Sequence, residues 1–261
     1  MVYQKDFLYF NMIADIYYNN QKYKIDLNQA IDISIPIDPL GVVAWGIDRL
    51  RIEPVKNGEW EGSVSMGAAV NFNNISFNPH AHSTHTECVG HISVNNESLN
   101  NELKQYFFLS KLITVCPRKN KGDYIITKKM IQQLVKREEK IEALIIRTLP
   151  NHSAKKTHNY SNTNPPYLSR GAAQYMVDIN VRHLLIDTPS IDKEKDDGQV
   201  VAHKTFWQFP GSNRAGCTIT ELIYVPDSIV DDLYFLNLQF VAFENDASPS
   251  RPILFKVISY E

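Results

Sequence analysis

A chain of 261 residues, 43% hydrophobic and 11% aromatic, can bury one substantial core, and residues 1–261 read as a single domain. Lys+Arg of 27 against Asp+Glu of 29 leaves a net charge of −2 without a basic run, which argues against nucleic acid as the main partner. Three widely spaced cysteines (Cys88, Cys116, Cys217) make no disulfide framework, Met1 to Asp6 shows no signal pattern, and no stretch reaches the roughly 18 apolar residues that span a bilayer. These features imply a soluble, cytoplasmic protein with no membrane partner.

The first predicted element is a short strand in Ile31–Ile37, where apolar and polar residues alternate up to Pro36. Scattered glycines with Trp45 and Trp60 predict hairpins and loops over 41–78. After a histidine-rich run, Leu99, Leu103 and Phe107 recur every four residues and predict a helix face. Thr127 is the N-cap of a second helix carrying Met130, Ile131, Leu134 and Val135, which ends in the solvated Lys136–Lys140 run. Ala143–Ile146 reads as a buried strand and the polar 152–166 stretch as a long loop, with His152 and His158 solvated. Ser169 caps a third helix bearing Ala172, Ala173, Met176 and Val177. Leu184–Ile186 is a strand ending at Asp187-Thr188-Pro189, and strands follow at 219–225, 235–243 and 253–258. The residues alone describe a strand-rich mixed α/β fold.

The run from His80 to His91 holds four of the eight histidines (His80, His82, His85, His91) together with Glu87. Histidine is the commonest metal ligand and titrates nearest neutrality. His85 and Glu87, at i and i+2, face the same way on an extended segment, which suits a nitrogen/oxygen metal site completed from elsewhere in the chain. Glu221, inside an apolar run, needs a partner if buried. His203 next to Lys204 reads as readily as a surface residue, and Asp187 and Asp192 read as shaping the turn around Pro189. A Cys88–His91 nucleophile pair is disfavoured, because on an extended chain the two side chains point apart and no oxyanion motif adjoins them.

Ser83-Thr84-His85-Thr86-Glu87-Cys88-Val89-Gly90-His91 resembles the H-x-G-T-H-x-D-x-P-x-H signature of the metal-dependent cyclase/hydrolase family, which includes bacterial kynurenine formamidase (arylformamidase) and isatin hydrolase. Further segments resemble the family in order: Asp32–Ile37 its D-L-S-x-P-I opening, Leu185–Asp192 its G-I-D-T-P-S-V-D stretch, His203 and Glu221 its later His and Glu, and Ala247–Ile253 its closing A-P-V-R-P-I. The resemblance implies a swivelling β/β/α domain with a mixed sheet core and flanking helices. It implies His85, Glu87, His203 and Glu221 as ligands of one or two divalent ions, Zn or Mn, and His91 as the acid/base residue. The implied activity is hydrolysis of an amide, formamide or cyclic amide or ester of a small-molecule substrate, arylformamidase in tryptophan breakdown being the nearest named case, in a homo-oligomer. Trp45, Trp60, Phe206 and Trp207 could line an aromatic pocket.

Four positions depart from the signature: its first His falls on Ala81, its Gly on Ser83, its Asp on Glu87 and its Pro on Val89, and two of these bear on the donor set. Ala81 cannot ligate, and Glu87 lengthens the side chain by about 1.5 Å. His80 and His82 flank Ala81 as possible substitute ligands; on an extended chain both have the wrong parity relative to His85, and a turn near Pro79 would reverse it. The alternative reading is a catalytically silent member, metal-depleted at Ala81, that binds a ligand or partner.

Overall fold

The structure is a computed structural model that describes residues 12–211 and 214–260. Met1 to Asp6, where the sequence shows no signal pattern, lies outside the described residues. The main sheet contains β1 (Ile13–Tyr18), β2 (Gln21–Asp26), β3 (Ile31–Asp32), β4 (His85–Glu87), β5 (Phe107–Val115), β6 (Ala143–Thr148), β7 (His183–Ile186), β8 (Thr218–Glu221), β9 (Leu233–Phe240) and β10 (Ala247–Tyr260). The helices are α1 (Pro79–His82), α2 (Leu99–Glu102), α3 (Lys128–Leu134), α4 (Arg170–Asp178) and α5 (Val201–Trp207).

β5, β6, β7 and β8 pair in parallel, joined by connections that carry α3, α4 and α5. β4 pairs antiparallel with both β8 and β10, and β9 links β10 back to β5, so the sheet closes on itself as a mixed barrel. The β1–β2 hairpin and β3 attach to β10 outside this ring. Among the described residues no helix is long and apolar enough to cross a membrane.

Strand periodicity divides the core. Leu144, Ile146, Leu184 and Ile186 pack on the helix-covered face against Met176, Phe206 and Trp207. Their alternates Ala143, Ile145 and Leu185 meet Leu112, Tyr234, Leu236 and Leu254 inside the ring. Burial on both faces explains why these strands read as unbroken apolar runs. Ser169 caps α4 by accepting the Ala172 N–H, and Thr127 precedes α3, as the sequence signals.

Several elements differ from the sequence reading. Leu99, Leu103 and Phe107 do not share a helix: α2 stops at Glu102, and Phe107 opens β5, where it pairs with Asn237 of β9. The 31–37 strand is cut to Ile31–Asp32 with an isolated bridge at Ser34. The 219–225 strand ends at Glu221, since Leu222 adopts a left-handed φ of 55° and turns the chain. α5 was not signalled at all.

The seam at β4 is three residues long, and its inward-facing hydroxyls tie it to β8: Thr86 Oγ1 and Thr220 Oγ1 are 2.8 Å apart and fully buried. Thr220→Val keeps the volume but strands the Thr86 hydroxyl, which should cost about 1–3 kcal/mol. Urea denaturation measures this, and an unchanged midpoint would show that the pair does not hold the seam.

Candidate metal and acid/base site

The site begins where Asn78 caps α1 by accepting the His80 N–H, with Pro79 at the first helical position. A helical turn advances about 100° per residue, so His80 and His82 point to nearly opposite sides. His82 leaves the site: its Nδ1 accepts the Asn78 N–H at 2.9 Å and its Nε2 donates to the Asp48 carbonyl at 2.9 Å. The reading of His82 as a substitute ligand is therefore corrected, since both ring nitrogens are used elsewhere. His80 turns inward, placing Nδ1 3.2 Å from Glu87 Oε2.

β4 supplies the next two groups on one face. His85 Nδ1 donates to the Ser83 carbonyl at 3.1 Å, which leaves Nε2 as the lone-pair nitrogen. That lone pair faces Glu221 Oε2 at 3.5 Å, and His85 Nε2 has no hydrogen-bond partner although fully buried. Register brings them together: His85 and Glu221 are direct cross-strand partners. Glu221 Oε1 accepts the Ile191 N–H at 2.8 Å, which fixes the carboxylate plane. Glu87 is fully buried, and its Oε2 also lacks a hydrogen-bond partner, the His80 nitrogen lying near it but off a bonding line.

α5 contributes His203. Asp192 accepts the backbone N–H groups of Ala202 and His203 at 2.7 and 3.0 Å, holding the first turn of α5, and its Oδ2 lies 2.7 Å from His203 Nδ1. The ring is thereby turned so that Nε2 lies 3.0 Å from Glu87 Oε1 and 3.7 Å from Glu221 Oε1. Trp207, one turn along, packs on the imidazole with ring centroids 5.5 Å apart. His203 is buried and serves the site rather than the surface.

The Val89–His91 turn brings His91 to the same place. Gly90 is required there, because a Cβ would fall 2.0 Å from the Glu97 carbonyl oxygen. His91 Nδ1 lies 3.0 Å from Asp246 Oδ2 and 3.7 Å from Glu87 Oε2. Asp246 also meets His80 Nε2 at 3.1 Å. Sequence reasoning missed Asp246, which sits in an unremarkable Glu-Asn-Asp turn, and gave Asp192 only a turn-shaping role although it closes the D-T-P-S-I-D segment.

Charges in this cluster compensate one another. Burial opposes the charged form of Glu87, but the nearby His91, the bond to His203 and the close approach of His80 hold its carboxyl well below the usual range. Burial likewise opposes protonation of His80, but Asp246 and Glu87 outweigh it and push the group up to about 10. For His203, Asp192 and Glu87 overcome burial in the same way and raise it well above the usual histidine value. Cys88 is no nucleophile: its buried thiol is pushed up to about 12 and donates to the Glu97 carbonyl at 3.1 Å.

Donor atoms of His80, His85 and Glu87, and those of Glu87, His91 and His203, lie within 4.8 Å of one another. Two orphaned buried atoms, a histidine lone pair aimed at a carboxylate, and a nitrogen/oxygen donor set all fit a divalent cation. His80, His91, His203 and Glu221 line a cavity of about 340 Å³ together with Trp45 and Ile47. Trp45 donates its indole N–H to the His80 carbonyl, whereas Trp60 packs on Phe72 in an outlying ladder and Phe206 is core. Neither His152 nor His158 lines the cavity. A larger cleft of about 680 Å³ between Pro36, Phe240 and Arg251 holds none of these histidines.

Comparison with curated protein sequences finds no match. Among solved structures, a potential metal-dependent hydrolase with cyclase activity superposes with a TM-score of 0.62 at 20% identity, over 87% of this chain and 98% of that one. A predicted metal-dependent hydrolase from Bacillus stearothermophilus gives 0.60 at 20% identity over 87% and 98%. Isatin hydrolase A from Labrenzia aggregata gives 0.62 at 17% identity over 88% and 94%. These likenesses establish the cyclase-like mixed α/β fold. The model of the family described as "Putative cyclase" matches residues 31–193, more than half the chain and including the His80–His91 run and Asp192, and the chain belongs to this cyclase family.

Proposed function

We propose that the protein is a metal-dependent hydrolase of non-peptide carbon–nitrogen bonds in a small-molecule amide, formamide or cyclic amide, of arylformamidase type. The observation that carries the reading is the unpartnered His85 Nε2, whose lone pair faces the Glu221 carboxylate beside the unpartnered Glu87 Oε2. His85, Glu87, His203 and Glu221 would hold one or two ions, with His80 standing in for the histidine that Ala81 lacks. A bound Zn or Mn ion supplies Lewis acidity, lowering the pKa of water toward about 7 and polarising a carbonyl.

The remaining work falls to the chain itself. The Ser83 carbonyl and Asp192 fix the orientations of His85 and His203, so each offers Nε2 to the common centre. Trp45 and Ile47 give the cavity an apolar wall suited to an aromatic amide such as an N-formylated aniline, and exclude bulk water from one side. His91 lines the cavity with its Nδ1 engaged by Asp246, so Nε2 carries the mobile proton to the leaving nitrogen. We place this chemistry in tryptophan breakdown, in the cytoplasm and in a homo-oligomer.

His91→Ala should leave metal content near wild type and lower turnover of an N-formyl aromatic amide by about 10²–10⁴-fold. His85→Ala should lose metal and activity together. Elemental analysis and steady-state kinetics read both, and loss of metal from His91→Ala would reverse the assigned roles. Adding Zn²⁺ to metal-stripped protein at about 100 times its Kd should stabilise the fold by about 2.7 kcal/mol, seen as a raised thermal midpoint. A midpoint indifferent to both Zn²⁺ and Mn²⁺ would favour the catalytically silent reading.

A further inference from the structure

We propose that Asp246 is a positioning residue that fixes His80 as a metal donor and His91 as the proton carrier through one carboxylate oxygen. This inference rests on the metal-dependent reading above. Asp246 Oδ2 lies 3.1 Å from His80 Nε2 and 3.0 Å from His91 Nδ1, and its side chain is only 22% exposed. An imidazole that donates one N–H to a carboxylate offers its other nitrogen as a lone pair in a fixed direction. His80 then presents Nδ1 to the centre shared with His85 and Glu87, and His91 presents Nε2 to the cavity.

The backbone holds Asp246 for this task. Its carbonyl accepts the Cys88 N–H at 3.0 Å, and the next residue, Ala247, pairs with Glu87. The carboxylate is thus set in register with the strand that carries the donors. The two rings it holds stand face to face, with centroids 4.4 Å apart and planes 33° from parallel. The same oxygen compensates the chain's departure at Ala81: α1 rotates His80 into the site, and Asp246 fixes the ring that the turn alone would leave free to rotate. The rival is direct ligation, because the His80, His91 and Asp246 donors themselves lie within 4.8 Å of one another.

Calorimetric titration of Zn²⁺ into the metal-stripped full chain separates these cases for wild type, D246N, H80A and the double variant, with thermal unfolding as the folding control. D246N should weaken Zn²⁺ binding about 10–100-fold, and the double variant should bind no more weakly than H80A alone, since the carboxylate acts on the ion only through that ring. D246N should also lower kcat with KM little changed, through His91, and D246E should restore part of it. If D246N does not fold, D246S takes its place in the cycle. Zn²⁺ affinity of D246N within about twofold of wild type overturns the inference. Losses that multiply in the double variant overturn it in favour of direct ligation. A wild-type chain that takes up neither Zn²⁺ nor Mn²⁺ overturns the metal-dependent reading and this inference with it.

Discussion

The register of one three-residue strand governs the site. β4 lies between two antiparallel neighbours, and its pairing places His85 opposite Glu221 on one side and Glu87 opposite Ala247, the residue after Asp246, on the other. A slip of one residue would turn His85 and Glu87 into the barrel and bring Thr86 out. Three groups far apart in sequence thus reach one another through backbone hydrogen bonding, before any side chain chooses a rotamer. The same pairing closes the barrel, so the fold and the donor cluster share a single geometric condition.

Buried ionisable groups survive here because they are grouped. Glu87 and His203 have almost no contact with solvent, and either alone would give up its charge on burial. The contrast is His183, also buried, whose Nδ1 meets the Thr218 hydroxyl and whose ring packs on Phe108. Burial, with Arg182 and Arg214 adding to it, pushes His183 down to about 3, and it remains a neutral core residue. The difference between His203 and His183 lies in the carboxylates around the ring.

Much of this was legible from the residues. The i, i+2 spacing of His85 and Glu87 signalled a shared strand face, apolar runs marked β6 and β7, and Ser169 and Thr127 marked helix starts through capping chemistry. What failed depended on partners distant in sequence. Phe107 follows a helical spacing but pairs with Asn237 of β9, and His203 looked exposed because the helix that buries it is held by Asp192, eleven residues earlier. His80 and His82 could not be told apart on an extended chain, since the one-turn helix between Asn78 and Ser83 decides which enters the site. Asp246 had no local signal at all; only sheet pairing brings it beside the histidines.

The longest strand has a further consequence. β10 hydrogen-bonds to β2, β3, β4 and β9, reaching from the seam at one end to the outer hairpin at the other. A segment shared by so many ladders cannot detach without breaking them together, so it ties the rim of the site to the global unfolding unit rather than to a local opening. Asp246 immediately precedes that strand, and its carbonyl accepts the Cys88 N–H, so it sits where the shared segment meets the seam. The carboxylate that meets His80 and His91 is thereby anchored beside the segment that ties the sheet together.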